Sequence, residues 1–203
     1  MARMPDAMEI VRGDKCFNYL LLSNMHTGDG SVVVKFTSRR VVCKNTLILA
    51  LEDGQKAYRV RHSKLMQFRL KKLAEFMAIT QEVFQKAAEV FRQFAKIQMK
   101  NGRLNQYLEA VFPRSEAQKK NGERPQRWDI VQEIFESKPD LQDAVRGTLW
   151  GAYNAITYFE DYKKPQQEEQ PDQRLGRIWF GSGADIKLLA LQKAQELSKT
   201  WSN

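Results

Sequence analysis

Around Ser63 the hydrophobic pattern of this 203-residue chain changes period, from the two-residue repeat of strands to the three-to-four-residue repeat of helices. Upstream, Asn18-Tyr19-Leu20-Leu21-Leu22-Ser23 and the β-branched run 31–42 flank His26-Thr27-Gly28-Asp29-Gly30, a pattern that predicts a β-hairpin. Residues 57–63 alternate like a half-buried strand, and the apolar run 47–51 predicts a short helical turn stopped near Gly54. Downstream, Ser63 caps a predicted helix with Met66, Leu70, Leu73 and Met77 on one stripe. A second stripe (Phe84, Ala87, Phe91, Phe94, Ile97) extends the helix to about Lys100, with a break near Ile79 and Thr80.

Further helices are expected from Leu104 to Phe112, stopped by Pro113, and from Trp128 to Phe135. Another opens near Asp140 and Asp143, with Val145, Leu149, Ala152, Ile156 and Phe159 on its buried stripe. A last one runs from about Ala184 to Lys199. Residues 113–127 and 163–174 are polar and predict exposed loops, the first of them basic and without large apolar residues between Arg114 and Arg127. Strands first and helices after predict one α+β domain over 1–203. In it, an antiparallel sheet from the strand-rich 1–63 packs against the mainly helical 64–203.

Hydrophobic residues at 42% and charged residues at 28% fit a globular chain and not a disordered one. The longest clean apolar run, 47–51, is far too short for a membrane span, and the opening Met1-Ala2-Arg3-Met4-Pro5-Asp6 lacks the apolar core of a signal peptide. Two cysteines, Cys16 and Cys43, are too few for a disulfide framework. A cytoplasmic protein without a membrane partner is the expectation. The net charge of +9 is uneven: +4 over residues 1–63, +7 over 64–125 and −2 over 126–203. The first two thirds attract phosphate-bearing partners by charge alone.

Several groups of residues bear on chemistry. If strands 31–42 and 57–63 are neighbours, Lys35, Arg39, Arg59 and Arg61 form one basic sheet face suited to a phosphate backbone. Lys71 and Lys72 add contacts at the sheet–helix junction, and Tyr58 stacks on a base if its face is open. Arg40 falls on the more apolar face, where a guanidinium needs a partner. Cys43, beside two arginines and a predicted helix start, has the surroundings of an acidified thiol, but no base stands at a recognisable spacing. Asn45 or Thr46 serves as an N-cap. Cys16, His26, Cys43 and His62 make a nominal two-Cys, two-His set whose spacing is wrong for a zinc finger, so no metal is expected. His62 alone reads as a hydrogen-bonded core histidine. The Gly181-Ser182-Gly183 loop offers N–H groups to an anion, without the ending of a P-loop; Ser182 and Asp185 as a capping box explain it more simply. Trp150, Asn154 and Thr157 share one side of a helix, with Asn154 read as a satisfied buried amide. No cofactor motif is present, and no cofactor is expected.

Five blocks occur in order: Tyr19-Leu20-Leu21-Leu22-Ser23-Asn24, Arg40-Val41-Val42-Cys43-Lys44-Asn45-Thr46-Leu47, Arg61-His62-Ser63, Thr148-Leu149-Trp150-Gly151-Ala152-Tyr153-Asn154-Ala155 and Trp179-Phe180-Gly181. Together they resemble the phage/plasmid-like proteins grouped as a bacterial domain of unknown function. The resemblance covers nearly the whole chain and marks Arg40, Cys43, Asn45, Thr46, His62, Trp150, Asn154, Trp179 and Gly181 as its candidate site residues. It implies that the chain begins inside a domain that is longer at its N-terminus in other members. It also shows a departure, since His26-Thr27-Gly28-Asp29-Gly30-Ser31 stands where the family has His-Asp-Gly-Ser. The context it implies is that of plasmids and prophages, and so of DNA or RNA transactions. The leading expectation is therefore a nucleic-acid-binding accessory protein of a mobile element. The competing ones are an enzyme with a polar site around Arg40, Cys43, Asn45, Thr46 and His62, and an interaction module presenting the Phe-rich stripe from Val83 to Ile97.

Overall fold

A computed structural model describes residues 2–24, 31–40, 46–48, 58–61, 80–100, 102–137, 145–163 and 171–201. Strands β1 (Ala2–Val11), β2 (Asp14–Asn24) and β3 (Ser31–Arg40) form an antiparallel meander. The short strands β4 (Thr46–Ile48) and β5 (Tyr58–Arg61) both pair antiparallel with the far edge of β3. β4 lies against its end, at Thr37 to Arg39, and β5 against its start, at Ser31 to Val34. As the central strand, β3 is buried at every residue from Val32 to Ser38, which accounts for its unbroken β-branched opening. The β1–β2 turn places Gly13 at φ 86°, where a side chain is disfavoured. β1 is irregular between Arg3 and Ala7, around Pro5, a residue an edge strand tolerates at a break in its ladder.

The helices follow as α1 (Thr80–Lys96), α2 (Arg103–Val111), α3 (Glu116–Asn121), α4 (Gln126–Ser137) and α5 (Leu149–Tyr158). After α5 the chain winds into a π-helical turn (Phe159–Lys163), then α6 (Pro171–Trp179) and α7 (Ser182–Trp201). The α+β layout expected from the change of period is the one observed. One face of β2 and β3 meets α1 and α5: the rings of Phe36 and Phe84 meet edge-on at 5.7 Å, and Asp14 takes the Trp150 indole N–H. Phe91 lies 4.6 Å from Trp150 and 5.9 Å from Tyr153, centroid to centroid. The stripe Val83, Phe84, Phe91, Phe94 and Ile97 is thus core, and it offers no exposed apolar surface to a partner.

Four sequence expectations need correction. Residues 46–48 are strand and not a helical turn, because Thr37 to Arg39 supply a ladder that a short apolar run cannot refuse. The stretch 114–127 contains α3, closed by a reciprocal capping box between Ser115 and Gln118 and ended by Gly122 at φ 67°. Ser182 lies inside α7: the Asp185 N–H bonds to the Gly181 carbonyl at 3.1 Å, so the helix starts one residue earlier than a Ser182 cap requires. The helix placed after Asp140 and Asp143 starts instead from Thr148, whose hydroxyl accepts the Gly151 N–H. The expected helix over 63–79 and the turn at 26–30 lie outside the described residues.

The glycines at the α6–α7 corner are explained by contact. A Cβ on Gly183 would stand 2.9 Å from Arg177 Nη1, 3.2 Å from the Arg177 carbonyl oxygen and 3.3 Å from Ile178 Cα. A Cβ on Gly176, within α6, would meet nothing within 4 Å. Gly183→Ala is expected to destabilise by about 1–3 kcal/mol through overpacking. Gly176→Ala is expected to stabilise by roughly 0.5–1 kcal/mol through helix propensity. Urea denaturation midpoints shifting in the same direction for both variants would refute the packing account.

Candidate functional site

Four of the residues that carry the family resemblance, Arg40, Thr46, Trp150 and Asn154, are held in buried polar networks. Arg40 and Asp14, 1% and 0% exposed, form an ion pair with Nε 2.5 Å from Oδ1. The other Asp14 oxygen accepts the Trp150 indole N–H at 2.7 Å. One turn along α5, Asn154 Nδ2 donates to the Trp150 carbonyl at 2.8 Å and Thr157 Oγ1 donates to the Asn154 carbonyl at 2.9 Å. Asn154 is the satisfied buried amide that its mid-helix position called for.

A second network lies across the sheet. Thr46 gives both its N–H (2.7 Å) and its hydroxyl (2.9 Å) to Asp161 Oδ2. Lys187 Nζ donates to Asp161 Oδ1 at 2.8 Å and to Thr46 Oγ1 at 2.7 Å. Lys187 is fully buried; burial pushes its pKa down from the ordinary lysine value, and the Asp161 carboxylate opposes that shift. Beside them, Arg177 pairs with the buried Glu160 at 3.5 Å and donates to its carbonyl at 3.1 Å. Sequence reading missed Asp14, Asp161 and Lys187. A signal existed for the lysine, because it falls on the buried stripe of α7 with Ala184, Leu188 and Leu191.

The proposed basic sheet face is changed by these contacts. β3 and β5 are neighbours, with Val33 opposite Arg59 and Ser31 opposite Arg61, so both arginine positions share the face of Lys35 and Arg39. Lys35, however, is 1% exposed; its Nζ donates to the Trp179 carbonyl at 2.5 Å and lies 5.8 Å from the Phe180 ring. It is held under the α6–α7 corner and is withdrawn from the phosphate-binding set. Thr37, the next residue on that face, is buried too, which separates Arg39 from the β5 arginines by about 20 Å of strand. What remains open lies at the Arg39 end. There Arg39 stands opposite Phe17, Tyr19 opposite Arg3, and Lys15 opposite Glu9. Arg3, Lys15 and Glu9 are exposed; Phe17, Tyr19 and Arg39 are half-buried. The Arg3 guanidinium stacks over the Phe17 ring, 3.6 Å from its centroid.

Arg40 and Thr46 do not share a pocket. Arg40 is on the α1 side, whereas Thr46 stands opposite Arg39 and is on the other. Gly181 donates its N–H to the Gly176 and Arg177 carbonyls and so closes a tight corner. The Trp179 indole N–H is buried without a hydrogen-bond partner among the described residues. Tyr58 is opposite Val34 in the strand register. Cys43, Asn45, His62, Lys71 and Lys72 lie outside the described residues. Among the described residues no group of acidic, His and Cys side chains is arranged to hold a metal ion, and no helix is long and apolar enough to cross a membrane. A cleft of about 520 Å³ between β1 and α1, floored by Met8 and Phe84 and rimmed by Glu89 and Arg92, includes none of the expected site residues.

Removing Asp161 leaves a buried lysine without its counter-charge. Asp161→Ala is expected to cost about 3–5 kcal/mol, and the pair Asp161→Leu with Lys187→Met to recover much of that loss. Denaturant unfolding of the three proteins measures it; an Asp161→Ala protein as stable as wild type would show that the pair does not hold the fold.

No curated protein and no solved structure matches this chain. The family described as a domain of unknown function (DUF932) matches residues 1–179, which include the five described strands, Asp14, Arg40 and Trp150, and Thr46 and Asp161 but not their partner Lys187. The chain belongs to that family.

Proposed function

We propose that this protein binds nucleic acid through the phosphate backbone, at the end of the sheet face that carries Arg3, Lys15 and Arg39. The observation behind this reading is the co-location of exposed and half-buried cations with half-buried aromatic rings, in a chain whose positive charge is concentrated before residue 126. Backbone recognition needs cations spaced along a surface and no base-specific pocket, and charge of this kind also steers association. The resemblance to phage and plasmid proteins supports the same class of partner by association.

Fluorescence anisotropy of labelled single-stranded and duplex oligonucleotides, titrated at several salt concentrations, tests it. Dissociation constants of about 10⁻⁶–10⁻⁴ M that weaken steeply with salt are expected. Lys15→Ala with Arg39→Ala should weaken binding to every sequence alike and lower the salt slope by about two, one for each phosphate no longer neutralised. No binding at low salt by folded protein would sink the proposal.

A further inference from the structure

We propose that Phe17 and Tyr19 form a stacking platform for the bases of a single polynucleotide strand; this rests on the nucleic-acid reading above and names the form of the ligand. β2 alternates strictly at this end. Its inward positions hold the buried Cys16 and Asn18, and its outward positions hold Phe17 and Tyr19. Cys16 is an ordinary core residue, but Asn18 takes an inward position while two large rings stand outward, the reverse of what burial alone favours for that pair of types. Two aromatic rings held half-open on one face, ringed by Arg3, Lys15 and Arg39, suit a ligand that is both flat and anionic.

Geometry favours a strand over a duplex. Phe17 and Tyr19 are two residues apart, so their rings leave the strand about 7 Å from each other. Stacked bases of a duplex rise only about 3.4 Å per step and are paired inward, so they cannot meet both rings. An extended strand can place one base on each. The contact Arg3 already makes shows that the outward face of Phe17 takes a flat partner at van der Waals distance. A base arriving there displaces the guanidinium, which then lies beside the incoming phosphate. Arg39, opposite Phe17, and Lys15, the next outward residue of β2, flank the same position.

The test is anisotropy with labelled oligo-dT, oligo-U and a duplex of equal length, using wild type, Phe17→Leu, Tyr19→Leu and Tyr19→Phe, with a thermal transition recorded for each to establish folding. Leucine keeps apolar volume on the sheet but has no π face. The expected result is at least tenfold preference for strand over duplex. Each leucine variant should lose about tenfold or more in strand affinity at every salt concentration with an unchanged salt slope, and Tyr19→Phe should retain wild-type affinity. The proposal holds whether the deoxy or the ribo arm binds, and the two arms identify the sugar. Leucine variants that bind like wild type, or a duplex bound as tightly as a strand, overturn the platform. In that event charge variants that still weaken binding leave the backbone reading standing, whereas no binding to any oligonucleotide ends both.

Discussion

One carboxylate, that of Asp14, joins three parts of this fold. It sits where the β1–β2 turn ends, pairs with Arg40 at the end of β3 and takes the indole N–H of Trp150 at the start of α5. None of the three groups is left in water, so the burial cost of each charge is offset only while all are in place. The arrangement also pins register. Shifting β3 by one residue against β2 would turn Arg40 to the opposite face and leave Asp14 buried alone. Trp150 carries the constraint onward, since its ring packs on Phe91 and thereby orients α1 over the sheet.

A second carboxylate does the same on the other side, and it depends on a break in helical geometry. After α5 the chain winds more widely through Phe159–Lys163, and there two consecutive acids are both buried. Glu160 meets Arg177 of α6, while Asp161 meets Thr46 of β4 and Lys187 of α7. π-helical turns are rare and persist where their contacts outweigh poorer backbone bonding. Here they tie the last helices to the sheet edge. Four of the residues by which this chain resembles its family are therefore framework: Arg40, Thr46, Trp150 and Asn154 bond inward, and all four are buried.

How much of this was legible follows from what each residue reports locally. The β2–β3 hairpin, the β5 strand and the stripe of α1 were readable because alternation and helical spacing are properties of a few neighbouring residues. β1 was not read, since Pro5 and the irregularity beside it break the alternation that would have marked it. Residues 46–48 were misread because a short apolar run has no period of its own until a neighbouring strand supplies a ladder. Arg40 on an apolar face announced that a partner was needed, yet nothing in the sequence pointed to Asp14, 26 residues earlier. Thr46 and Asp161 are 115 residues apart, a distance over which local pattern is silent. Lys35 lies where local pattern gives only half the answer. Alternation assigned it correctly to the face of Arg39, but whether a face is covered is decided by helices elsewhere in the chain.

That covering divides the face in two, and the division bears on the proposed recognition. Where α6 and α7 close over it, Lys35 is engaged by a backbone carbonyl and Thr46 by a carboxylate, so polar groups there serve the interior. Where they do not, the same face shows rings and cations side by side. A flat, uniformly charged sheet would hold any polyanion loosely, because each surface cation contributes little and is screened by salt. For the proposed ligand, a short open patch bounded by a covered one restricts where it can lie: on β1, β2 and the end of β3, near the point where Asp14 and Arg40 join those strands. The burial of that pair and the outward placement of the rings are then two consequences of one register.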